Sequence, residues 1–453
     1  MFSSIYSLVG VENLPYRAKK LVKRYLILIT IAHSLFMLSN TFFILFVIDY
    51  IGYTEAGLLL GVYFFIHAVF DYPTGVLGDW IGQKWILFIA YSGYAISFGL
   101  LGLLVFIDSP LILVIAYILF ALSSSQESGA FATWFDNNYK VAVQEEDPDR
   151  QIYRTFLGKS QMIFDFSGGT MLIVGGWIAT FYQRELVFII QTVGLSVLAP
   201  LLLILAKDFP EIEKVPQSIA KYFHLFFDGL INVIFNPVLL LLVMGSILYI
   251  SAISIFFNLM LFPIYFGYTG TDLGASIFRF TLFFTGAIGI WKISDWIKNV
   301  QVKKWLPVTH FIHAFLFFGG MAILMIIFPI TNSLNLVAAF FVGCLILITH
   351  LMRMTLNIFV QRIYLDVIDD EKRNSFYSLL PTAILLVTSP LTAVSGNIGE
   401  NQGFATLFIF LGILALIASF FYLLAMRFVH MPKDKIKLVT DEGGAEIPLI
   451  DDK

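Results

Sequence analysis

The sequence has little charge and almost no cysteine. Only 13% of its 453 residues are charged, about half the share that is usual in soluble proteins, whereas 58% are apolar. The single cysteine, Cys344, excludes an intramolecular disulfide and a multi-thiolate metal site. The net charge of −3 is too small to favour a nucleic-acid partner. A mean hydropathy of +0.85 is typical of a membrane protein that crosses the bilayer many times.

The motifs of soluble enzymes are also missing. The sequence contains no P-loop, no nucleophile elbow and no His/Cys set with metal-binding spacing. The glycines around Gly78 do not follow a strand pattern, so they are no dinucleotide fingerprint. We therefore expect no enzyme activity, no cofactor and no bound metal, and we do not expect ATP-driven transport by this chain.

Long apolar runs recur along the whole chain. A helix needs about 20 predominantly apolar residues to cross a bilayer. This criterion predicts an all-α protein with twelve transmembrane helices, near residues 25–49, 56–78, 84–107, 111–135, 153–181, 186–206, 237–264, 273–297, 305–329, 335–365, 375–396 and 403–427.

The basic residues lie mostly on one side of this predicted topology. Arg184 is the only one that we assign to the side with the short connections, such as residues 108–110 and 399–402. Loops rich in Lys and Arg stay in the cytoplasm, so both termini are expected there. This arrangement predicts a multi-pass plasma-membrane protein, embedded in the lipid bilayer, with an even number of crossings.

Two motifs carry a family resemblance. Residues 71–75, Asp-Tyr-Pro-Thr-Gly, precede residues 78–84, Gly-Asp-Trp-Ile-Gly-Gln-Lys, between the predicted second and third helices. This stretch resembles the signature loop of major facilitator superfamily transporters and its E-x-P-T-G variant, with Trp80 and Gln83 where basic residues are usual. Residues 128–136 are similar to the S-G-x-x-x-A-x-x-x-D stretch of the same multidrug-efflux-like group.

The resemblance implies two pseudo-symmetric six-helix bundles that open a central cavity to each side of the membrane in turn. The expected parts are a cytoplasmic N-terminal segment, the first bundle, a cytoplasmic linker with an amphipathic helix, the second bundle and a disordered tail, at residues 1–24, 25–206, 207–236, 237–430 and 431–453.

The function implied is secondary active transport of a small molecule by alternating access. We expect a proton-coupled monomer, because one chain of this family holds the whole pathway, and efflux of amphipathic compounds is favoured. Uptake or exchange of a small polar or anionic metabolite is an alternative. A transporter-derived sensor or scaffold is another.

The signature loop is expected to act as a latch whose contacts differ between the two conformations. We interpret its glycines as part of a turn of roughly six residues, in which the backbone can adopt positive φ. The predicted latch residues are Asp71, Gly75, Gly78, Asp79, Gly82, Lys84 and, at the end of the fourth helix, Asp136. His67 lies one turn before Asp71 and is expected to form a structural pair with it.

Two carboxylates within predicted helices are candidates for proton coupling. A carboxylate in hydrocarbon costs several kcal/mol unless it is solvated, paired or protonated. Glu127 is therefore either a proton-coupling or cation-binding group, or one partner of a salt bridge between the halves. Asp165 is either part of a proton path or paired with Lys159 or Arg279.

Polar residues at helical spacing indicate the cavity face of the predicted tenth helix. His350, Arg353 and Asn357 recur on one stripe, which an apolar helix does not turn towards lipid. In the resembled family this helix lines the cavity, so His350 and Arg353 are candidates for substrate contact. Arg353 would bind an anionic group or Glu127. The other cavity candidates are His33, Asn40, Gln126, Asn258 and Asn357.

Overall fold

The computed structural model describes residues 2–143, 146–212, 227–231, 233–297, 300–368 and 373–428. The regular structure of these ranges is helical throughout. Nine helices in the same ranges are long and apolar enough to cross a membrane. The predicted all-α membrane fold is therefore confirmed. Most of the predicted amphipathic linker helix, and the tail from residue 431, lie outside the described residues.

The helices of the first half are α1 (Phe2–Leu8), α2 (Tyr16–Met37), α3 (Phe43–Ile51), α4 (Tyr53–Ile81), α5 (Gln83–Leu103), α6 (Pro110–Glu127), α7 (Ala130–Val143), α8 (Gln151–Phe181) and α9 (Arg184–Leu205). Those of the second half are α10 (Pro237–Ile255), α11 (Leu261–Thr269), α12 (Asp272–Ile297), α13 (Val302–His313), α14 (Gly320–Ile327), α15 (Leu336–Val367) and α16 (Arg373–Phe428). Single π-helical turns, Phe256–Met260 and Ala314–Gly319, join α10 to α11 and α13 to α14.

Each predicted span has a helical counterpart, but the number of separate helices is not twelve. The first span is divided into α2 and α3 at residues 38–42, and the fourth is divided after Glu127, where Gly129 has φ 73°. The last two spans form α16, which is interrupted at Gly403 by φ 82° and ψ 166°. Such breaks depend on local backbone geometry, which a count of apolar residues does not detect.

The expected six-residue turn around residues 75–82 was wrong. Helix α4 continues through Pro73 to Ile81, and Gly82, with φ 94°, is the one residue between α4 and α5. Gly75 and Gly78 are helical. A Cβ atom on Gly78 would lie 2.7 Å from Nε2 of Gln83, the far end of a flexible side chain, so this glycine lies within α4 beside the start of α5 and forms no turn.

The two halves pack together through α4 with α16 and through α8 with α12. A Cβ atom on Gly57 of α4 would lie 2.6 Å from the Cα atom of Gly396. One on Gly61 would lie 2.7 Å from the carbonyl oxygen of Ser389, whose hydroxyl donates to the Gly61 carbonyl at 2.8 Å. Backbone against backbone at this distance requires glycine.

Hydrogen bonds between the halves cluster at the same end of these helices. The Thr54 amide donates to the Glu400 carboxylate at 2.7 Å, and the Tyr53 hydroxyl donates to the Leu259 carbonyl at 3.0 Å. The Leu273 amide donates to the Thr180 hydroxyl at 2.9 Å. We call this end, which carries the short connections, the closed face.

Gly57→Leu is expected to shift the protein away from the conformation described here. The new side chain would clash with backbone atoms, which cannot rotate aside. The conformation with the closed face would therefore be destabilised by about 1–3 kcal/mol, which lowers its population roughly tenfold or more. Spin labels at residues 181–183 and at residues 401–402, next to the interruption at Gly403, would report a longer distance in a Cys344→Ser background.

Gly319→Leu is the matched control for this substitution, because a Cβ atom at that helical glycine meets nothing within 4 Å. An unchanged label distance in Gly57→Leu would contradict the assignment of the closed face.

Candidate functional site

Two arginine side chains share one aromatic ring in the second half. The guanidinium carbons of Arg279 on α12 and Arg353 on α15 lie 5.5 and 4.8 Å from the ring centroid of Phe257. Phe257 belongs to the π-helical turn between α10 and α11, and Arg279 also lies 5.7 Å from the Phe262 ring. The face of an aromatic ring attracts cations, so this turn holds two positive charges close together.

Arg353 has no anionic partner within the described residues. Its Nη2 atom donates to Nδ1 of His350 at 3.4 Å, and its Nε atom is buried without a hydrogen-bond partner. A charge removed from water is costly unless it is paired. This arrangement therefore leaves Arg353 with an unused capacity to bind an anion.

The space beside Arg353 is narrow in this conformation. A cavity of about 10 Å³ is lined by Phe257, Thr349, His350 and Arg353, among others, and holds no more than about one water molecule. His313 on its wall bonds the Tyr249 hydroxyl and the Thr349 carbonyl, both at 3.2 Å. A solute would have to displace side chains that line this cavity, Phe257 among them.

Glu127 is the last residue of α6 and is half-buried. Among the described residues it makes no hydrogen bond and no ion pair, and it is not paired with Arg353. The hydroxyl groups of Tyr63, Tyr91 and Tyr94 lie within electrostatic range of its carboxylate. The salt bridge between the halves that the sequence suggested as an alternative is therefore absent from this part of the structure in this conformation.

A row of polar side chains lies between α4 and α6. The Tyr63 hydroxyl is 2.9 Å from the Ser124 hydroxyl, which is 3.3 Å from Nδ1 of His67. Nε2 of His67 lies 3.8 Å from the Asp71 carboxylate. The expected proximity of His67 and Asp71 is thus present, and Tyr63 and Ser124 extend it towards Glu127.

The other first-half candidates share no hydrogen bond or ion pair with one another among the described residues. Asp165 accepts a hydrogen bond from Gln161 at 2.7 Å, and neither of the two ion pairs expected for it is formed. The Nε2 atom of His33 is buried without a partner and would lie 2.6 Å from a Cβ atom on Gly168. Asn40 is half-buried in the break between α2 and α3, and Gln126 is half-buried beside Glu127.

The asparagines predicted for the second half do not contact Arg353. Asn258 is exposed, and its side-chain amide donates to the Ser254 carbonyl at 2.8 Å. Asn357 is exposed on α15. Helical spacing placed His350 and Arg353 correctly together, but it could not indicate Phe257, which comes from a different helix.

The predicted latch is only partly visible. Lys84 is half-buried beside the Trp85 ring at 5.9 Å, whereas the side chain of Asp79 is outside the described part of the structure. Asp136 pairs with Lys140 at 2.7 Å and with Arg150, both in the first half. These contacts join no residue of the second half, so the latch role of Asp71, Gly82 and Lys84 stays a prediction.

The loop after α7 is fixed by Asp147. Burial alone would raise the pKa of this carboxyl group. The Tyr153 and Ile152 amides, at 2.9 and 3.1 Å, and the Tyr139 hydroxyl, at 2.9 Å, outweigh that effect and hold the pKa of Asp147 below its usual value. The carboxylate thus stays charged and anchors the start of α8.

A charge cluster on the closed face was not predicted. Arg184, at the start of α9, donates to both oxygens of Asp272 at 2.9 Å and to Asp49 at 2.5 Å. Asp272 opens α12, so the cluster joins the two halves. In the sequence, the indication of this cluster was that Arg184 is the one basic residue assigned to this side.

Long apolar helices in two facing halves, with charged side chains held between them, define a secondary transporter of the membrane. The chain belongs to the Major Facilitator Superfamily, whose family model matches residues 25–364. It is therefore a multi-pass transporter of small molecules and not an enzyme. A comparison with curated protein sequences finds no match.

Solved structures share the fold at low identity. The POT family transporter PepTSo has a TM-score of 0.70 and 9% identity, covering 91% of this chain and 98% of that one. The nucleoside transporter NupG has a TM-score of 0.60 and 15% identity, with coverages of 92% and 100%. A bacterial homologue of the human lysosomal transporter Spinster, inward-facing and occupied, has a TM-score of 0.65 and 13% identity, with coverages of 90% and 96%.

Proposed function

We propose that the protein transports a small organic anion, bound at Arg353, and that Glu127 carries a coupling proton. The observation that carries the proposal is the half-buried guanidinium of Arg353, which has no carboxylate partner among the described residues. Guanidinium groups bind carboxylates and phosphates with two parallel hydrogen bonds. A bound anion would therefore satisfy both the charge and the buried Nε atom.

The aromatic surroundings favour an anion with an apolar body. Phe257 and Phe262 supply ring surface next to the charges, and His350 supplies a further polar contact. A lipophilic cation would instead meet the positive charges of Arg279 and Arg353 at close range. The amphipathic substrate expected from the sequence is thus retained, with negative charge.

Glu127 suits the proton-coupling role because it has no fixed partner among the described residues. A half-buried carboxylate without an ion pair is more stable protonated when the cavity closes around it, and more stable charged when water enters. Efflux as the direction rests on the resemblance of residues 71–75. Cytoplasmic termini, the plasma membrane and the monomer are proposed from the distribution of Lys and Arg and from the family.

Proteoliposomes provide the direct test. Aromatic carboxylates, phosphomonoesters and lipophilic cations would be screened for flux with and without an imposed pH gradient, and for thermal stabilisation of the purified protein. We expect stabilisation and gradient-driven flux with anions. Glu127→Gln should lose the gradient-driven flux and keep exchange of one anion for another.

Two results would contradict the proposal. Transport of cations without transport of anions would exclude Arg353 as the substrate contact. Gradient-driven anion flux that is unchanged in Glu127→Gln would show that another residue carries the coupling proton.

A further inference from the structure

We infer that the anion site binds a solute with two anionic groups, one held by Arg353 and the other by Arg279. This substrate class rests on the proposed function, which places a single anionic group at Arg353. It narrows the substrate to a dianion, such as a dicarboxylate, with an apolar body between its charged ends. Arg279, which the sequence suggested only as a partner of Asp165, becomes a second binding residue.

The two guanidinium groups are close enough for one small molecule to reach both. Their carbon atoms lie 4.8 and 5.5 Å from the same point, the centroid of the Phe257 ring, so they are no more than about 10 Å apart. The side chains of Arg279, Arg353 and Phe257 are all half-buried, and each keeps surface that a solute can contact. Two like charges at this separation repel each other where water is scarce, and a dianion would neutralise both.

The Arg353 end of the site offers two donors. Among the described residues, the buried Nε atom of Arg353 has no hydrogen-bond partner. Arginine only donates, so the 3.4 Å contact between its Nη2 atom and His350 makes Nδ1 of His350 the acceptor. In a neutral imidazole the proton is then on Nε2, which becomes a second donor. This end can therefore donate to both oxygens of a carboxylate.

The Arg279 end is built from aromatic rings. The guanidinium carbon of Arg279 lies 5.5 Å from the Phe257 ring centroid and 5.7 Å from that of Phe262. Tyr265 follows Phe262 by one turn of α11, and its ring centroid is 3.8 Å from that of Phe278, the residue before Arg279. Its buried hydroxyl has no hydrogen-bond partner within the described ranges. The rings position the guanidinium group but carry no net charge, so an anion is still attracted to it.

The helices place the two ends one after the other. A Cβ atom on Gly286 of α12 would lie 3.0 Å from Nε2 of His350, so this face of α12 packs against α15. Arg279 lies two turns before Gly286 and is therefore on the same face. Because Asp272 opens α12 at the closed face, the Arg279 end is nearer to that face. A solute that enters from the opposite side would meet Arg353 first.

Phe257 separates the two ends in this conformation. The cavity of about 10 Å³ beside Arg353 is lined by Phe257, and Arg279 is not among its lining residues. The ring belongs to a π-helical turn, a type of irregular turn that is frequent at functional sites. If the ring moves aside, the apolar body of a dianion takes its place between the two guanidinium groups, and each anionic group meets one arginine.

Dicarboxylates and their monomethyl esters test the second anionic contact, because each pair shares one body and differs by one negative charge. The panel would contain terephthalate and unbranched dicarboxylates of increasing length, titrated by calorimetry. We expect at least one dicarboxylate to bind the wild type about tenfold or more tightly than its ester, as a further charge-assisted contact provides. In Arg279→Gln this preference should fall below about twofold, while the affinity for the ester changes less than about threefold.

Two variants control for charge and folding. Arg154→Gln removes an exposed arginine of the first half and should keep the preference for the dicarboxylate. Arg279→Lys keeps a positive charge at the same place and should keep part of the preference. Thermal melts of the ligand-free variants report folding, and the comparison of dicarboxylate with ester in the wild type needs no variant.

The outcomes distinguish the dianion site from the proposed function. Equal affinity for every dicarboxylate and its ester in the wild type, or a preference that survives in folded Arg279→Gln, would overturn the second anionic contact and leave a transporter of monoanions. A preference that depends on Arg279, in a protein that transports none of these compounds, would contradict the proposed function and support the dianion site. Binding of no compound in the panel would overturn both.

Discussion

Arg184→Gln is expected to open the closed face. The Asp272 side chain is 6% exposed and receives two hydrogen bonds from Arg184, which is 14% exposed. Removal of the arginine leaves a buried carboxylate unpaired beside a second one, Asp49. Breaking a buried ion pair costs about 3–5 kcal/mol, which is hundreds- to thousands-fold in the ratio of the two conformations. In the opposite conformation water would solvate Asp272.

The neighbouring ion pair is a control from the same cluster. The Asp49 side chain is 64% exposed, so Asp49→Asn should cost less than about 1 kcal/mol. The double variant Arg184→Gln/Asp272→Asn should recover part of the loss, because no buried carboxylate is left unpaired and the exposed Asp49 stays in water. The distance between spin labels at residues 181–183 and 401–402 would be measured in the three variants and in the wild type. Equal distances in Arg184→Gln and Asp49→Asn would show that the cluster does not hold the face.

The charge cluster illustrates what the sequence could and could not predict. The placement of Arg184 on a side to which no other basic residue was assigned followed from the distribution of Lys and Arg alone. Its partner Asp272 is 88 positions away, and no local pattern joins two residues at that separation. The contact of Gly57 with Gly396 is of the same kind. The sequence contains both glycines, and only packing brings them together.

The spans were predicted well because bilayer thickness imposes a length on every crossing helix. The predicted 153–181 corresponds to Gln151–Phe181 in α8, and the predicted 237–264 falls within Pro237–Thr269. The breaks at residues 38–42 and at Gly129 were missed, because a window of about 20 residues averages over short polar stretches within an apolar run. Periodicity placed His350 beside Arg353 on one helix, but it could not show that Phe257 lies under both arginines.

The charged groups of the two halves have separate tasks in this arrangement. Glu127 lies in the first half, and the arginines lie in the second. When the halves rock about the α4–α16 and α8–α12 contacts, the access of water to each charged group changes. Proton binding and anion binding are then coupled through the conformational equilibrium, and the two sites need no direct contact. This agrees with the absence of a Glu127–Arg353 ion pair among the described residues.

Arg353→Gln is expected to abolish anion binding. Loss of one partner of a hydrogen-bonded charge pair costs about 2–5 kcal/mol, or roughly 30- to several-thousand-fold in the dissociation constant. The ligand-free protein should keep or gain thermal stability, because the substitution removes a buried charge that has no anionic partner among the described residues. Calorimetric titration with an aromatic carboxylate and a thermal melt would measure the two effects.

Two further variants separate charge from geometry. Arg353→Lys keeps the positive charge but cannot bind two oxygens in parallel, so we expect intermediate affinity. Arg362→Gln removes an exposed arginine further along α15 and should leave anion binding unchanged. A loss of thermal stability in Arg353→Gln, with anion affinity intact, would make Arg353 a structural residue. A structural arginine has its stabilising anionic partner within the ligand-free protein, so its loss lowers thermal stability. A substrate-binding arginine obtains that partner only from the bound solute. The sign of the change in thermal stability therefore distinguishes the two.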